Sequence, residues 1–261
     1  MEKELIIIGK MKFIYLCIFC ITLCCCEQET KLVKKYYEDG TVKAVFGTVN
    51  NKLQGEVKEY YPSGNIKLTA YFKNDLQEGL QYNYSDAGIL IQKSSFKNNL
   101  VCGDVLTYDE VGNLSSRQIF QIRNDSSYLN QVINYTNEGL VDKARSNYFT
   151  IDIYKDTIKY GEPFDVDVKL EASYYNQNML VVFGDYDNNF NHWTYSDTIW
   201  EGEDELFDFK VHYSTTRYRK GQNVLRGIIH DYVSYYENDS SQNILRDVRP
   251  LFFELDFFVK D

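Results

Sequence analysis

A glycine recurs every 24 residues through the first half of the chain, at Gly40, Gly64, Gly88 and Gly112, and once more 27 residues on, at Gly139. A fixed step of this length confines the chain to architectures in which each unit packs on its neighbours. The period is not carried by glycine alone. A tyrosine stands four residues before each glycine (Tyr36, Tyr60, Tyr84, Tyr108, Tyr135) and an aliphatic residue two after it (Val42, Ile66, Leu90, Leu114, Val141). A second series, Gly55, Gly79 and Gly103, keeps the same step. In the second unit Pro62 sets the first corner of a β-turn and Gly64 accepts the positive φ that follows.

After that turn Ile66, Leu68, Ala70 and Phe72 alternate with Lys67, Thr69, Tyr71 and Lys73, the period of a half-buried strand. Residues 56–61 supply the opposite arm, so each unit is expected to be a hairpin closed by a glycine bulge. One hairpin is marginal in water. Stacked units would join Phe72, Phe96, Phe120 and the tyrosine row into one continuous apolar stripe. The stretch GEVKEYYPSGNIKLTAYFKNDLQEG (residues 55–79) resembles a MORN repeat, in the variant form found in bacterial proteins, some of them antitoxin-like. The resemblance extends over residues 36–147, with a divergent fifth unit and a fourth that lacks the second glycine. It implies a curved antiparallel sheet used for binding or scaffolding, and no catalytic residue.

Charge divides the chain. Residues 27–147 hold 14 basic and 15 acidic side chains, whereas 148–261 hold 11 and 21, which places a domain boundary near residue 148. Past it Phe164, Val166, Val168, Leu170 and Ala172 alternate with polar residues, as do Phe207, Phe209, Val211 and Tyr213, and Leu251, Phe253, Leu255, Phe257 and Val259. Residues 178–184 and 224–233 are continuously apolar and suit central strands covered on both faces. About seven short strands over this length predict an immunoglobulin-like β-sandwich at 148–261, without the cysteine and tryptophan hallmark of that fold. The expected fold class is therefore all-β. A net charge of −10 argues against nucleic acid, which is bound by neutralising phosphate.

Ahead of the repeats, MKFIYLCIFCITLCCC (residues 11–26) has a basic flank and an apolar run too short to span a bilayer, the pattern of a signal peptide. Met1 or Met11 could be the start. The run resembles a bacterial lipoprotein signal: Cys26 has Leu23 three residues before it, and is the expected lipidation site, with residues 27–35 as a tether. The alternative is a cleaved signal with coincidental cysteines. Five of six cysteines lie in this leader, so Cys102 has no internal partner and reads as a small apolar strand residue.

Candidate chemistry is sparse. Asp185, Asp187 and Asn189 place three oxygen ligands at alternate positions as a calcium loop does, but Phe190 stands where such a loop needs glycine and Ser196 where it needs glutamate. A solvated hairpin turn is the plainer reading, as a solvated loop is for the acidic run at 201–205. Whether the acidic stretch 185–205 takes a cation stays open. The histidines His192, His212 and His230 lack metal-ligand spacing, and His212 falls on the polar face of its strand. Trp193, Trp200, Tyr174, Tyr175, Tyr186 and Tyr195 could form an aromatic platform for a glycan or peptide, or could simply fill a core. No acid, base or nucleophile is assigned, and no cofactor or metal is expected. These residues predict a lipid-anchored protein of the bacterial cell envelope, in the outer membrane, acting as a non-catalytic binding or scaffolding module for an envelope protein partner. Alternatives are a toxin-immunity protein, or a glycan-binding or glycan-processing one.

Overall fold

The computed structural model describes residues 30–191, 193–200, 209–237 and 244–261. The leader with Cys26, and the acidic run 201–205, lie outside the described residues. The first half is one 11-stranded sheet. Its strands are β1 (Lys31–Tyr36), β2 (Val42–Val49), β3 (Lys52–Tyr60), β4 (Ile66–Lys73), β5 (Leu76–Gln77), β6 (Gly79–Tyr84), β7 (Leu90–Lys97), β8 (Leu100–Val101), β9 (Gly103–Tyr108), β10 (Leu114–Arg123) and β11 (Ser126–Asn134). Neighbours pair antiparallel along β1-β2-β3-β4-β6-β7-β9-β10-β11, with β5 and β8 as short additions on β4 and β7. The sheet starts at Lys31, inside the stretch expected as a tether. The KLVKKY strand has no clean alternation and hid that edge.

Each repeat glycine completes the same turn. The Tyr61 N–H donates to Asn65 O and the Gly64 N–H to Tyr61 O, both at 2.9 Å, and the pairing slips at Glu59/Tyr60. This is a type I turn with a glycine bulge, and Gly64 sits at φ 91° because that bulge needs a left-handed residue. The pattern recurs at residues 37–41, 85–89, 109–113 and 136–140. Successive hairpins are joined by a second kind of turn. Asn50-Asn51, Asn74-Asp75, Asn98-Asn99 and Asn124-Asp125 all hold two consecutive positive φ angles, the type I′ geometry that Asn and Asp tolerate.

Two side-chain devices tie units together. Tyr37 donates its hydroxyl to Tyr60 O at 2.7 Å and Tyr61 to Tyr84 O at 2.8 Å, one unit on in each case. Phe72, Phe96 and Phe120 lie directly across from Gly55, Gly79 and Gly103, so each ring stands opposite a residue without a side chain. The apolar stripe is not continuous, however. Leu68 faces Asn83, and from there the same face carries Gln81, Asn83, Gln92 and Ser94. The most buried apolar positions in the sheet are short: Ala44, Val57, Ala70, Val105 and Ile133. A single open layer cannot cover large side chains, so its interior is built from small ones.

The fifth unit makes its turn but no returning strand. Tyr135 and Val141 form an isolated bridge, and a 3-10 turn at Lys143–Arg145 follows. From Tyr148 the chain forms two facing sheets. One is β12 (Tyr148–Ile153), β14 (Phe164–Ala172) and β17 (Lys210–Thr215); the other runs β13 (Thr157–Lys159), β19 (Ile244–Lys260), β18 (Gly221–Tyr236), β15 (Asn178–Tyr186) and β16 (Trp193–Trp200). All pairs are antiparallel except β13 with β19. Phe164, Val166, Val168 and Leu170 of β14 meet Val181, Phe183, Ile229, Leu251 and Phe253 in one core. Two ring stacks bridge the sheets: Phe164 on Phe257 and Phe183 on Tyr213, each at 3.9 Å between centroids. Each such side chain stabilises the fold by about 1.5–3 kcal/mol through burial.

Candidate functional site

The concave candidate lies on the first half of the repeat sheet. Ala44, Phe46, Val57, Leu68, Ala70 and Phe72 floor an open groove of about 860 Å³, with Lys35 and Glu59 on the same face. The register places Phe46, Val57 and Ala70 side by side on three adjacent strands, so the two alanines make the hollow between larger neighbours. Beyond Ala70 the floor turns into a ladder of amides. Gln77 donates to Gln81 at 2.7 Å, Gln81 to Asn83 at 3.3 Å and Asn83 to Gln92 at 3.1 Å. Three amide-to-amide bonds in series order this face of the sheet. What this surface offers a ligand is apolar contact beside one cationic and one anionic side chain, Lys35 and Glu59.

A second region joins the two halves, and sequence reasoning did not identify it. β10 has 10 residues where β4 and β7 have 8, and the extra length carries Arg123 and Asn124 to the loop after β15. Arg123 stacks its guanidinium 3.3 Å from the Phe252 ring centroid and 4.9 Å from that of Phe190, and donates to Asn189 O. Asn124 accepts from Asn191 at 2.7 Å. Phe190 holds φ 58°, rare for a bulky residue, and buries its ring against Tyr186 and Phe252. The bulge in β11 points Asn130 at β19: its amide donates to Phe252 O and its oxygen accepts the Phe252 N–H, both at 2.8 Å. Tyr128 donates to Pro250 O at 2.7 Å, and Arg249 returns the contact by donating to Leu129 O at 2.5 Å. Side chains of β11 thereby serve the β19 backbone where no strand lies beside it, satisfying polar groups that burial would otherwise strand.

The stretch weighed as a calcium loop, and read more plainly as a hairpin turn, belongs to this junction. Asp187 spends Oδ1 on the N–H groups of Asn189 and Asn191, at 2.9 Å each, holding its own loop in shape while Asn189 and Asn191 reach Arg123 and Asn124. The solvated hairpin turn is present at Asn188, Asn189 and Asn191, which are exposed, whereas Phe190 among them is buried. The aromatic platform is not assembled either. Tyr174 and Tyr175 sit before β15 and Tyr186 at its far end, a strand length of about 25 Å. Tyr186 is buried in the junction, and Tyr195 donates to Asp197. The side chains of Trp193 and Trp200, and His192, lie outside the described residues.

On the outer face of the three-stranded sheet, His212 does stand exposed, but not idle. Its Nδ1 is 2.7 Å from Asp167 Oδ1, while Asp167 Oδ2 takes Lys210 at 2.7 Å and Tyr154 at 3.1 Å. Lys210 and then His212 hold the Asp167 carboxyl down at about 2. Among the described residues no group of His, Cys, Asp or Glu is arranged to hold a metal ion. Cys102 is half-buried in the sheet beside Ser95, with Sγ and Oγ 4.0 Å apart. No helix among the described residues is long and apolar enough to cross a membrane.

Geometry thus defines an open antiparallel repeat sheet joined edge-on to an antiparallel two-sheet domain. Residues 53–74 and 77–98 match the family described as MORN repeat variant, each match running from β3 or its equivalent through the glycine turn to the Asn-Asp or Asn-Asn connection. No curated protein matches the chain.

Proposed function

We propose that this protein is a lipid-anchored component of the bacterial cell envelope that binds or scaffolds a partner protein without catalysing a reaction. The observation that carries the reading is the groove on the repeat sheet. Its apolar floor lies beside a series of amides hydrogen-bonded to one another, a surface suited to holding rather than transforming a ligand. The MORN repeat match favours such a role for the sheet. Support for an immunoglobulin-like reading of the second domain comes from its two facing sheets, β12-β14-β17 and β13-β19-β18-β15-β16, antiparallel but for the β13–β19 pair. Folds of this kind host many functions, so the role rests on the surface.

Anchoring is assigned to Cys26, whose lipid would supply the multiple acyl chains that stable attachment requires. The test is cross-linking of the tagged chain in membranes of its host, beside Cys26→Ser. A specific protein partner recovered with the wild-type chain, and membrane association lost in the variant, is the expected result. Unchanged fractionation of the variant would remove the anchor, and the absence of any cross-linked partner would remove the scaffold.

A further inference from the structure

The repeat sheet ends differently on its two sides. At β11 it is covered: Val132 pairs with Asn147, and Tyr128 and Asn130 bond to β19. At β1 the described residues provide β2 as neighbour and nothing beyond it. An edge strand presents a row of N–H and C=O groups ready to template another strand. Repeat arrays ordinarily close such an end with a polar cap. Here the end strand exposes Leu32 at 63% and Tyr36 at 57%.

The charge on this edge selects among occupants. β1 carries Lys31, Lys34 and Lys35 in six residues, in a chain of net charge −10. A second copy of β1 paired parallel and in register would set lysine against lysine, which is destabilising for residues directly opposite, and a fully overlapped antiparallel copy would set Lys34 and Lys35 against Val33 and Leu32 with no carboxylate to meet them. The same lysines attract a strand that bears carboxylates, so repulsion of self and attraction of an acidic partner come from one feature. Both faces of the edge repeat the offer. Val33 and Lys35 face the groove, in register with Phe46 and Ala44, whereas Leu32 and Lys34 face the other way. An added strand in which two apolar residues are followed by two acidic ones meets an apolar residue and a lysine on each side, because side chains two apart share a face.

We propose that the β1 edge takes up an extended acidic segment of a partner protein as a further strand, with backbone hydrogen bonds supplying affinity and Lys34 and Lys35 supplying selection. This rests on the binding reading above and names the chemistry of the partner.

The test uses the full chain and a fluorescein-labelled peptide of two Val-Val-Glu-Glu repeats, read by fluorescence anisotropy. Controls are a Val-Val-Lys-Lys peptide and a Val-Val-Glu-Glu peptide with alternate amides N-methylated. Binding of the acidic peptide alone is expected, weakened about tenfold or more by N-methylation, by Lys34→Glu with Lys35→Glu, and by half-molar salt, with amide exchange slowed at residues 32–36. The two lysines are on an exposed edge, so an unchanged melting temperature will show that the double variant is folded. No binding, or binding indifferent to N-methylation or to the double variant, overturns the proposal. So does a β1 edge already protected without peptide, whether by a dimer in sedimentation or by residues 1–29, as their removal would reveal. If the peptide fails while host cross-linking finds a partner away from β1, the edge proposal falls and the binding reading stands.

Discussion

Replacing Asn130 by alanine should loosen the junction between the halves by an amount that can be worked out. Asn130 is 1% exposed and makes two 2.8 Å hydrogen bonds with the Phe252 backbone. Phe252 O keeps a second donor, Gln121 at 3.2 Å, so alanine orphans chiefly the Phe252 N–H. A buried donor left without an acceptor costs about 1–3 kcal/mol, and the small void left by the amide adds to it, for a total of about 2–4 kcal/mol. If the two halves melt as one unit of more than 200 residues, each kcal/mol corresponds to about 2–4 °C, so Tm should fall by roughly 4–16 °C. Calorimetry and urea denaturation would both read this. Asn130→Asp makes a sharper control, because its carboxylate would face Phe252 O with no proton to give. At neutral pH it should be worse than alanine, and it should recover as acid protonates the buried group, whose pKa burial raises. A Tm within 1 °C of wild type for the alanine variant, or an aspartate variant insensitive to pH, would refute the role given to this pairing.

Three further outcomes are expected. Gly64→Ala should cost about 1–2 kcal/mol through its φ of 91° alone, because a Cβ there meets nothing within 4 Å, and Gly64→Asn should cost less; urea titration of both would check the order. Asp167 contributes stability that is present above its unfolded value near 3.8 and is lost as pH falls through about 2, so Asp167→Asn should flatten the acid limb of a Tm-against-pH curve in that window. Asp231 is fully buried and accepts from Asn147, Ser173 and the Tyr174 N–H, so Asp231→Ala strands three donors and should cost about 3 kcal/mol or more by chemical denaturation.

Much of the repeat sheet was legible because its signal is periodic. Gly64 and its counterparts mark turns that any hairpin of this geometry needs. The Asn50-Asn51, Asn74-Asp75 and Asn98-Asn99 pairs carried equal information at the same step, and would have located the second turn of every unit. The acidic domain was legible where one face is buried, as in β14, whose core side alternates with polar residues. Its continuously apolar segments did have two covered faces. In β15 and β18 the second face is the junction, where Val182 and Ile228 pack against Tyr186, Phe190 and Phe252. The outer part of the β18–β19 hairpin was not legible, because Tyr235, Tyr236, Ile244 and Leu245 are exposed and follow no buried pattern. The junction escaped for a different reason. Arg123 and Asn130 acquire meaning only from partners such as Phe252, about 120 positions away, and nothing local in the sequence distinguishes them.

The shared hydrogen-bond pattern of the 24-residue units makes the array a ruler. One unit contributes two strands of the main ladder, spaced about 4.8 Å apart, so each adds about 10 Å between β1 and the second domain. Among the described residues, contact with that domain is made by the last strands and the turn after them, through Arg123, Tyr128, Asn130 and Lys143. Gain or loss of an internal unit would therefore reset the separation of the two ends in steps of that length, while the joint that orients the second domain stayed the same.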